Sequence, residues 1–217
     1  MTDFNYKKDS KEQMPYQHYT EMYAKADPAE ISGRLQIPYD KQGKVFTFRF
    51  LGTTYHVTWP DYEISHEENS CGYYPLEDMI YAKILVIRYL LEGKTVLARG
   101  EFKTYREMPW GEVYYQQFNG RCILRLAYGF GNKPDAFGKV MEAMGAEKLN
   151  FGDISYELTL FDGYRLRFIL WQGDDEFPPS SQILFSDNFS EGFSAEDMAV
   201  TGDVCIGTFK ALDKMLK

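Results

Sequence analysis

Between Ile154 and Leu170 apolar and polar side chains alternate on both sides of Phe161-Asp162-Gly163. Period two on both arms of a tight turn leaves room for little besides an antiparallel β-hairpin. A two-residue Asp162-Gly163 loop would mix Arg165 and Arg167 with Leu158 and Leu160 on one face, at odds with a half-buried sheet. A three-residue loop with Gly163 in a left-handed bulge instead aligns Ile154, Tyr156, Leu158 and Leu160 with Tyr164, Leu166, Phe168 and Leu170. That register sets Glu157 opposite Arg167. The second arm runs through Trp171 into Gly173-Asp174-Asp175-Glu176-Phe177-Pro178-Pro179, and Gln182 to Phe185 reads as a further strand with Asp187-Asn188 as its turn. The acidic-to-proline segment is therefore a strand-to-strand connection.

A second period-two stretch carries Phe46, Phe48 and Phe50 on one face and Tyr55, Val57 and Trp59 after the turn. Gly52 followed by Thr53 suits a two-residue type II′ loop, which pairs Phe50 with Tyr55, Phe48 with Val57 and Phe46 with Trp59. In that register His56 lies opposite Arg49, where a neighbouring cation discourages protonation and metal binding, so His56 reads as structural.

The remaining apolar residues recur at helical spacing. Tyr16, Tyr19, Tyr23 and Ala26 define a short helix that Pro28 ends, after a polar arm over residues 1–14. Pro75, with Glu77 and Asp78 behind it, opens a helix through Leu76, Met79, Ile80, Ile84, Ile87, Leu90 and Leu91, capped at Gly93. Further helices are expected over Glu112 to Tyr128 and from Pro134 to Gly145. A last one starts at Ser194, whose Ser-x-x-Asp spacing to Asp197 is a capping-box variant. Gly202 and Gly207 inside it predict close packing against a sheet. Strands flanking a helical middle, with no linker-like stretch, predict a single α+β domain over residues 15–217. Its two or more antiparallel hairpins should form a mixed or antiparallel sheet against about four to five helices.

Composition bounds the function. A formal charge of −8 opposes a phosphate-backbone footprint, so nucleic acid is not an expected partner. No run approaches the roughly 20 apolar residues of a membrane helix, and the start is polar, so a cytoplasmic protein without a membrane partner is expected. Cys71, Cys122 and Cys205 are far apart and never within a CxxC, so neither a disulfide framework nor a cysteine-held zinc or iron–sulfur site is suggested. Aromatic residues make up 17% of the chain, enough both to fill a core and to line a ligand pocket.

Two connections hold the least generic residues. In the acidic turn, Asp174 and Glu176 share a side of an extended segment and suit acid–base work or a divalent cation. The plainer reading is that Asp174, Asp175 and Glu176 solvate the turn or accept backbone N–H bonds, with Phe177 inserted in a core or pocket. The second is Gly100 to Gly111, where Arg106 either clamps an anion beside Tyr105 and Glu107 or forms a structural ion pair with Glu107 or the acidic turn. Both segments are expected to border one aromatic-lined pocket that takes a small molecule. His66-Glu67-Glu68-Asn69-Ser70-Cys71 holds metal-competent atoms but lacks a spaced second ligand pair.

Phe48-Arg49-Phe50-Leu51-Gly52 with Val57 to Ile64, then Tyr105 to Gly111, then Gly173 to Pro179 with Ile183-Leu184-Phe185, then Ala195-Glu196-Asp197-Met198-Ala199, occur in this order. The set resembles the prokaryotic domain of unknown function numbered 3786, over about residues 15 to 215. The resemblance brings no activity and no catalytic residues. It implies an accessory or ligand-binding protein of anaerobic metabolism, because similar proteins occur largely in anaerobic bacteria and archaea. Some longer relatives carry a cysteine-rich iron–sulfur module of the kind met in corrinoid proteins. That module is missing here, so an iron–sulfur or corrinoid protein is implied only as a partner. The alternative is a small carboxylate-dependent enzyme working through the acidic turn.

Overall fold

The computed structural model describes residues 10–217; residues 1–9 of the expected polar arm lie outside them. Helix α1 spans Gln13–Lys25, so the arm's last two residues are already helical. Pro28 does not close the helical region. It opens a second helix, α2 (Pro28–Leu35), whose start is capped by the Asp27 carboxylate accepting from Ala29 N at 2.8 Å. Proline at a first helical position loses nothing, because that N–H has no partner inside a helix.

The strands are β1 (Tyr39–Asp40), β2 (Val45–Phe50), β3 (Thr53–Thr58), β4 (Ile64–His66), β5 (Phe102–Thr104), β6 (Glu147–Leu149), β7 (Ile154–Phe161), β8 (Tyr164–Trp171) and β9 (Ser180–Ser186). They build one nine-stranded sheet in the order β4-β3-β2-β7-β8-β9-β5, with β1 added on β2 and β6 on β7. Every pairing is antiparallel. The expected α+β class holds, with more strands than two hairpins supply.

The β7–β8 strands have the register their pattern demanded, with Tyr156 paired with Phe168, Leu158 with Leu166 and Glu157 with Arg167, but the loop is the two-residue Asp162-Gly163 closed by the Phe161–Tyr164 pair, and an irregularity between Thr159 and Phe161 restores the register. Gly163 has φ +91°, a conformation that L side chains rarely adopt. Glu157 is 8% exposed and accepts from Arg165 Nη1 at 2.6 Å and Arg167 Nε at 2.9 Å. Two guanidinium groups on one carboxylate satisfy a charge that would be costly to bury alone.

The β2–β3 hairpin differs from expectation by two residues. Phe50 pairs with Thr53, Phe48 with Tyr55 and Phe46 with Val57, around a Leu51-Gly52 loop with φ +48° and +81°. Positive φ at both central residues is a type I′ turn, unusual for leucine. Burial overrides the local preference: Leu51 is 4% exposed and its N–H donates to Leu160 O at 2.8 Å, fastening the turn to β7. A two-residue shift keeps every side chain on its face but changes its neighbour. His56 therefore faces Thr47, whose Oγ1 is 3.0 Å from Nδ1, rather than Arg49, and its Nε2 lies 3.5 Å from Glu67.

Helices cover the apolar face of the sheet. The one helix expected from Pro75 to Gly93 is broken into α3 (Pro75–Asp78) and α4 (Ile80–Glu92), because Met79 is extended. Next come α5 (Gly111–Phe118), a π-helical turn over Asn119–Ile123, α6 (Leu124–Phe130), α7 (Pro134–Ala143), the short α8 (Phe189–Gly192) and α9 (Ala195–Met215). Ser194 and Asp197 form the predicted reciprocal cap of α9. Gly202 and Gly207 admit close neighbours, but those neighbours are not strands. A Cβ on Gly202 would sit 2.6 Å from Cys122 Sγ, and one on Gly207 2.8 Å from Met79 Cε. The glycines thus seat α9 against the π-helical turn and the α3–α4 break. Most of the aromatic content is core: Tyr89 stacks on Phe161 at 4.2 Å and on Phe193 at 5.2 Å, and Tyr105 stacks on Phe118 at 4.0 Å.

Candidate functional site

The acidic turn is organised by its own backbone. The Asp174 carboxylate accepts from Glu176 N at 2.9 Å and Phe177 N at 2.7 Å, while Asp174 N donates to Phe177 O at 2.9 Å. Those N–H bonds, from Phe177 first and then Glu176, hold the Asp174 carboxyl below its ordinary pKa. An acid–base carboxyl in a closed site would be raised instead. Asp175 and Glu176 are exposed, and Phe177 is 66% exposed rather than inserted in a core or pocket. Pro179 packs against Gly173 and Gly131, where a Cβ would come within 2.7 and 2.4 Å of it.

The Tyr105-Arg106-Glu107 segment is a 3₁₀ turn with a capping box. Tyr105 is 1% exposed and its hydroxyl donates to Ala195 O at 2.8 Å. The Glu107 carboxylate accepts from both Thr104 N and Thr104 Oγ1 at 2.7 Å, which lowers its pKa. Arg106 pairs with neither Glu107 nor the acidic turn: its guanidinium lies 3.8 Å above the Tyr115 ring and 3.4 Å from Glu112. Asp174, Asp175, Glu176, Phe177, Tyr105, Arg106 and Glu107 do not line any of four open clefts, of about 790, 660, 260 and 200 Å³, among the described residues.

A cleft lies elsewhere, among α1, α4, the π-helical turn and α9. Its two adjoining cavities, of about 790 and 660 Å³, share Glu12, Tyr81 and Arg121 as lining residues. In the larger, Arg88 spans the gap between helices. Its Nη2 donates to Asp197 Oδ2 at 3.1 Å, its Nε lies 2.7 Å from Oδ1 off the N–H axis, and Nη1 donates to the Tyr19 hydroxyl. Burial opposes the Arg88 charge, but Asp197, Tyr19 and Glu92 outweigh it and raise the pKa. Asp197 is 6% exposed and also receives Ser194 N and Oγ, so this pair is fully committed to the fold.

The second cavity is less settled. Arg121 Nε donates to Asp203 Oδ2 at 2.8 Å and Arg125 Nη1 to Oδ1 at 2.6 Å. Two guanidinium groups thus share one carboxylate, and both remain partly in water, at 45% and 37% exposure against 17% for Asp203. A partly exposed guanidinium with spare N–H groups is a bidentate receptor for carboxylate or phosphate. Tyr81, 46% exposed, offers a ring beside it, and Gln117, Glu196 and Glu12 add polar rim atoms. Burial, with the charge of Asp78 on the same wall, pushes the Tyr73 phenol up to about 12. The π-helical turn sets the phase that brings Arg121 and Arg125 together onto Asp203; such turns are frequent at functional sites.

Arg88, Arg121, Arg125, Asp197 and Asp203 were not singled out in the sequence as site residues. A signal existed: Arg88 interrupts the apolar run Ile84 to Leu91, and Asp203 interrupts Met198 to Ile206. A lone charge in a buried helix needs a partner of opposite sign.

Elsewhere, His66 stacks on Tyr74 at 3.5 Å with its Nε2 2.9 Å from Glu77, and the Asn69 amide donates to Thr53 Oγ1 and Tyr73 O. Among the described residues no three His, Cys, Asp or Glu side chains are placed to hold a metal ion. Cys122 and Cys205 are fully buried and their thiols are pushed far up by that burial, so they do not fit as cluster ligands. No described helix is long and apolar enough to cross a membrane.

Fold and cleft together define an antiparallel α+β protein with a charged, helix-lined cleft on the helical side. The chain belongs to the family described as domain of unknown function DUF3786, whose model matches residues 27–208. No curated protein and no solved structure matches it.

Proposed function

We propose that the protein is a binding module for a small molecule bearing a carboxylate or phosphate group, held at Arg121 and Arg125 with its remaining part against Tyr81. The observation that carries this reading is the sharing of Asp203 by two partly exposed guanidinium groups on the wall of the cleft. Each guanidinium keeps N–H groups that Asp203 does not take, and at 45% and 37% exposure both can reach a ligand from the cavity wall. Glu12 and Glu196 on the rim favour a ligand that also carries a cationic group. The module works in the cytoplasm of an anaerobe, by family resemblance, and three free thiols suit a reducing compartment. An iron–sulfur or corrinoid centre would be carried by a partner protein, because this chain's cysteines do not fit one.

The test is isothermal titration of the full chain with inorganic phosphate, simple carboxylates and amino acids, alongside native mass spectrometry of protein purified from its host. Binding should weaken about 10–100-fold in Arg121→Gln or Arg125→Gln, the loss of one charge-assisted bidentate contact. Unchanged affinity in both variants refutes the assignment.

A further inference from the structure

The stripe of α9 that borders the cleft continues past it. Asp203 and Gly207 line the second cavity, and Lys210 and Lys214 follow on the same side of the helix, at spacings of four, three and four residues. Opposite them, Arg125 and Gly129 lie one turn apart on α6, and the two helices meet at both levels. Arg125 Nη1 donates to Asp203 Oδ1 at 2.6 Å. The Lys210 side chain crosses Gly129 so closely that a Cβ there would sit 3.2 Å from Lys210 Cε and 3.8 Å from Nζ. One helical turn, about 5–6 Å along α6, therefore separates the arginine end of the cleft from the Lys210 ammonium.

Lys210 stands among cations. Burial, followed by the charges of Arg125, of Lys133 in the turn before α7 and of Lys214, lowers its pKa. Among the described residues Lys133, Lys210 and Lys214 pair with no carboxylate, and the Asp203 carboxylate that Arg125 holds is already shared with Arg121. Acidic residues outnumber basic ones by 32 to 24 in this chain, yet Asp203 is the one described acid that pairs into the group. Like charges fixed one turn apart on a helix repel, and a multiply charged anion lying across them removes that cost.

The place of this cluster bears on the class of ligand. A single carboxylate or phosphate at Arg121 and Arg125 leaves Lys210 without a partner one turn away, whereas linked phosphoryl groups reach both. On the reading that an anionic group sits at Arg121 and Arg125, we infer that the ligand's anionic end is a di- or triphosphate whose outer phosphoryl group lies on Lys210, Lys133 and Lys214. The two guanidinium groups fix the inner phosphoryl group bidentately, and the ammonium groups, as point charges on flexible stems, follow the outer one.

Isothermal titration of the full chain with inorganic phosphate, pyrophosphate and tripolyphosphate at constant ionic strength tests this. One of the two polyphosphates should bind at least about 10-fold more tightly than phosphate, and Lys210→Gln should remove that advantage while leaving phosphate affinity within about 2-fold. Arg121→Gln should weaken all three, which separates a failure at Lys210 from a failure at the cleft. Lys210→Gln takes one cation from among cations, so its melting temperature should equal or exceed that of the wild type, and unfolding does not account for the loss. Lys41→Gln, in the exposed turn between β1 and β2, should leave every affinity unchanged and reports the effect of net charge alone. Equal affinity for phosphate and both polyphosphates, an advantage that survives Lys210→Gln with Lys214→Gln, or the same loss in Lys41→Gln overturns the inference and leaves the cleft reading standing. Phosphate binding untouched by Arg121→Gln overturns both.

Discussion

Replacing Asp197 by alanine removes two things at once, and their sizes follow from its surroundings. The carboxylate closes the N-terminal cap of α9, accepting Ser194 N at 3.1 Å and Ser194 Oγ at 2.6 Å. Loss of such a cap costs about 1 kcal/mol. It is also the close counter-charge of Arg88, whose side chain is 18% exposed; Glu92 stands 3.8 Å away but is 56% exposed and contributes little. Breaking a buried pair on one side costs about 3–5 kcal/mol, because the charge left behind is uncompensated. With Tyr19 still accepting from Arg88, the lower end applies to the ion pair, and Asp197→Ala should cost about 4 kcal/mol in all. Urea denaturation followed by circular dichroism measures it as a lowered midpoint at unchanged slope, equivalent to a fall of roughly 8–16 °C in melting temperature for a chain of this length. Adding Arg88→Met to Asp197→Ala should restore part of the loss, since the orphaned cation is gone. A cost below about 1 kcal/mol, or strict additivity in the double variant, would refute the claim that this pair is buried and committed to the fold.

Other outcomes follow from the same contacts. Gly202→Ala should destabilise by about 1–3 kcal/mol in the same assay, because its Cβ would meet Cys122 Sγ at 2.6 Å. Burial raises the Tyr105 phenol from 10.0 to about 12, and burial with Asp78 does the same for Tyr73. A group whose folded pKa lies above its unfolded value stabilises the fold below the unfolded pKa and loses that contribution as pH rises through the folded one. Stability should therefore fall between about pH 10 and 12, and Tyr105→Phe should flatten that fall in an alkaline denaturation series. Asp174→Ala should lower the melting temperature and leave ligand affinity unchanged, while Phe177→Ser, at an exposed ring, should shift stability by no more than about 0.5 kcal/mol.

What the sequence revealed was what local chemistry decides. The β7–β8 register was legible because Arg165 and Arg167 had to stay off the Leu158 face, although an irregularity between Thr159 and Phe161 rather than a three-residue loop achieves it, and the Ser194–Asp197 cap was legible because its spacing is self-contained. The β2–β3 register was not, because a buried Leu51 bound to Leu160 O imposed a turn that the Gly52-Thr53 pair did not suggest. Met79 broke a helix that its periodicity supported, where its side chain met Gly207 on α9. The cleft was least legible of all. Arg121 and Asp203 are far apart in the chain, and only α9 crossing the π-helical turn joins them. The acidic turn stood out by composition, yet its Asp174 carboxylate accepts its own backbone's N–H groups, and Asp175 and Glu176 are exposed.

The central claim is that ligands enter at Arg121 and Arg125 and not at the acidic turn. A backbone-amide NMR titration of the full chain with inorganic phosphate and a small amino acid tests it most directly. Shifts should cluster at Tyr81, Gln117, Arg121, Arg125 and Asp203, and vanish in Arg121→Gln with Arg125→Gln. Shifts confined to Asp174–Phe177, or a response that survives both substitutions, would contradict it.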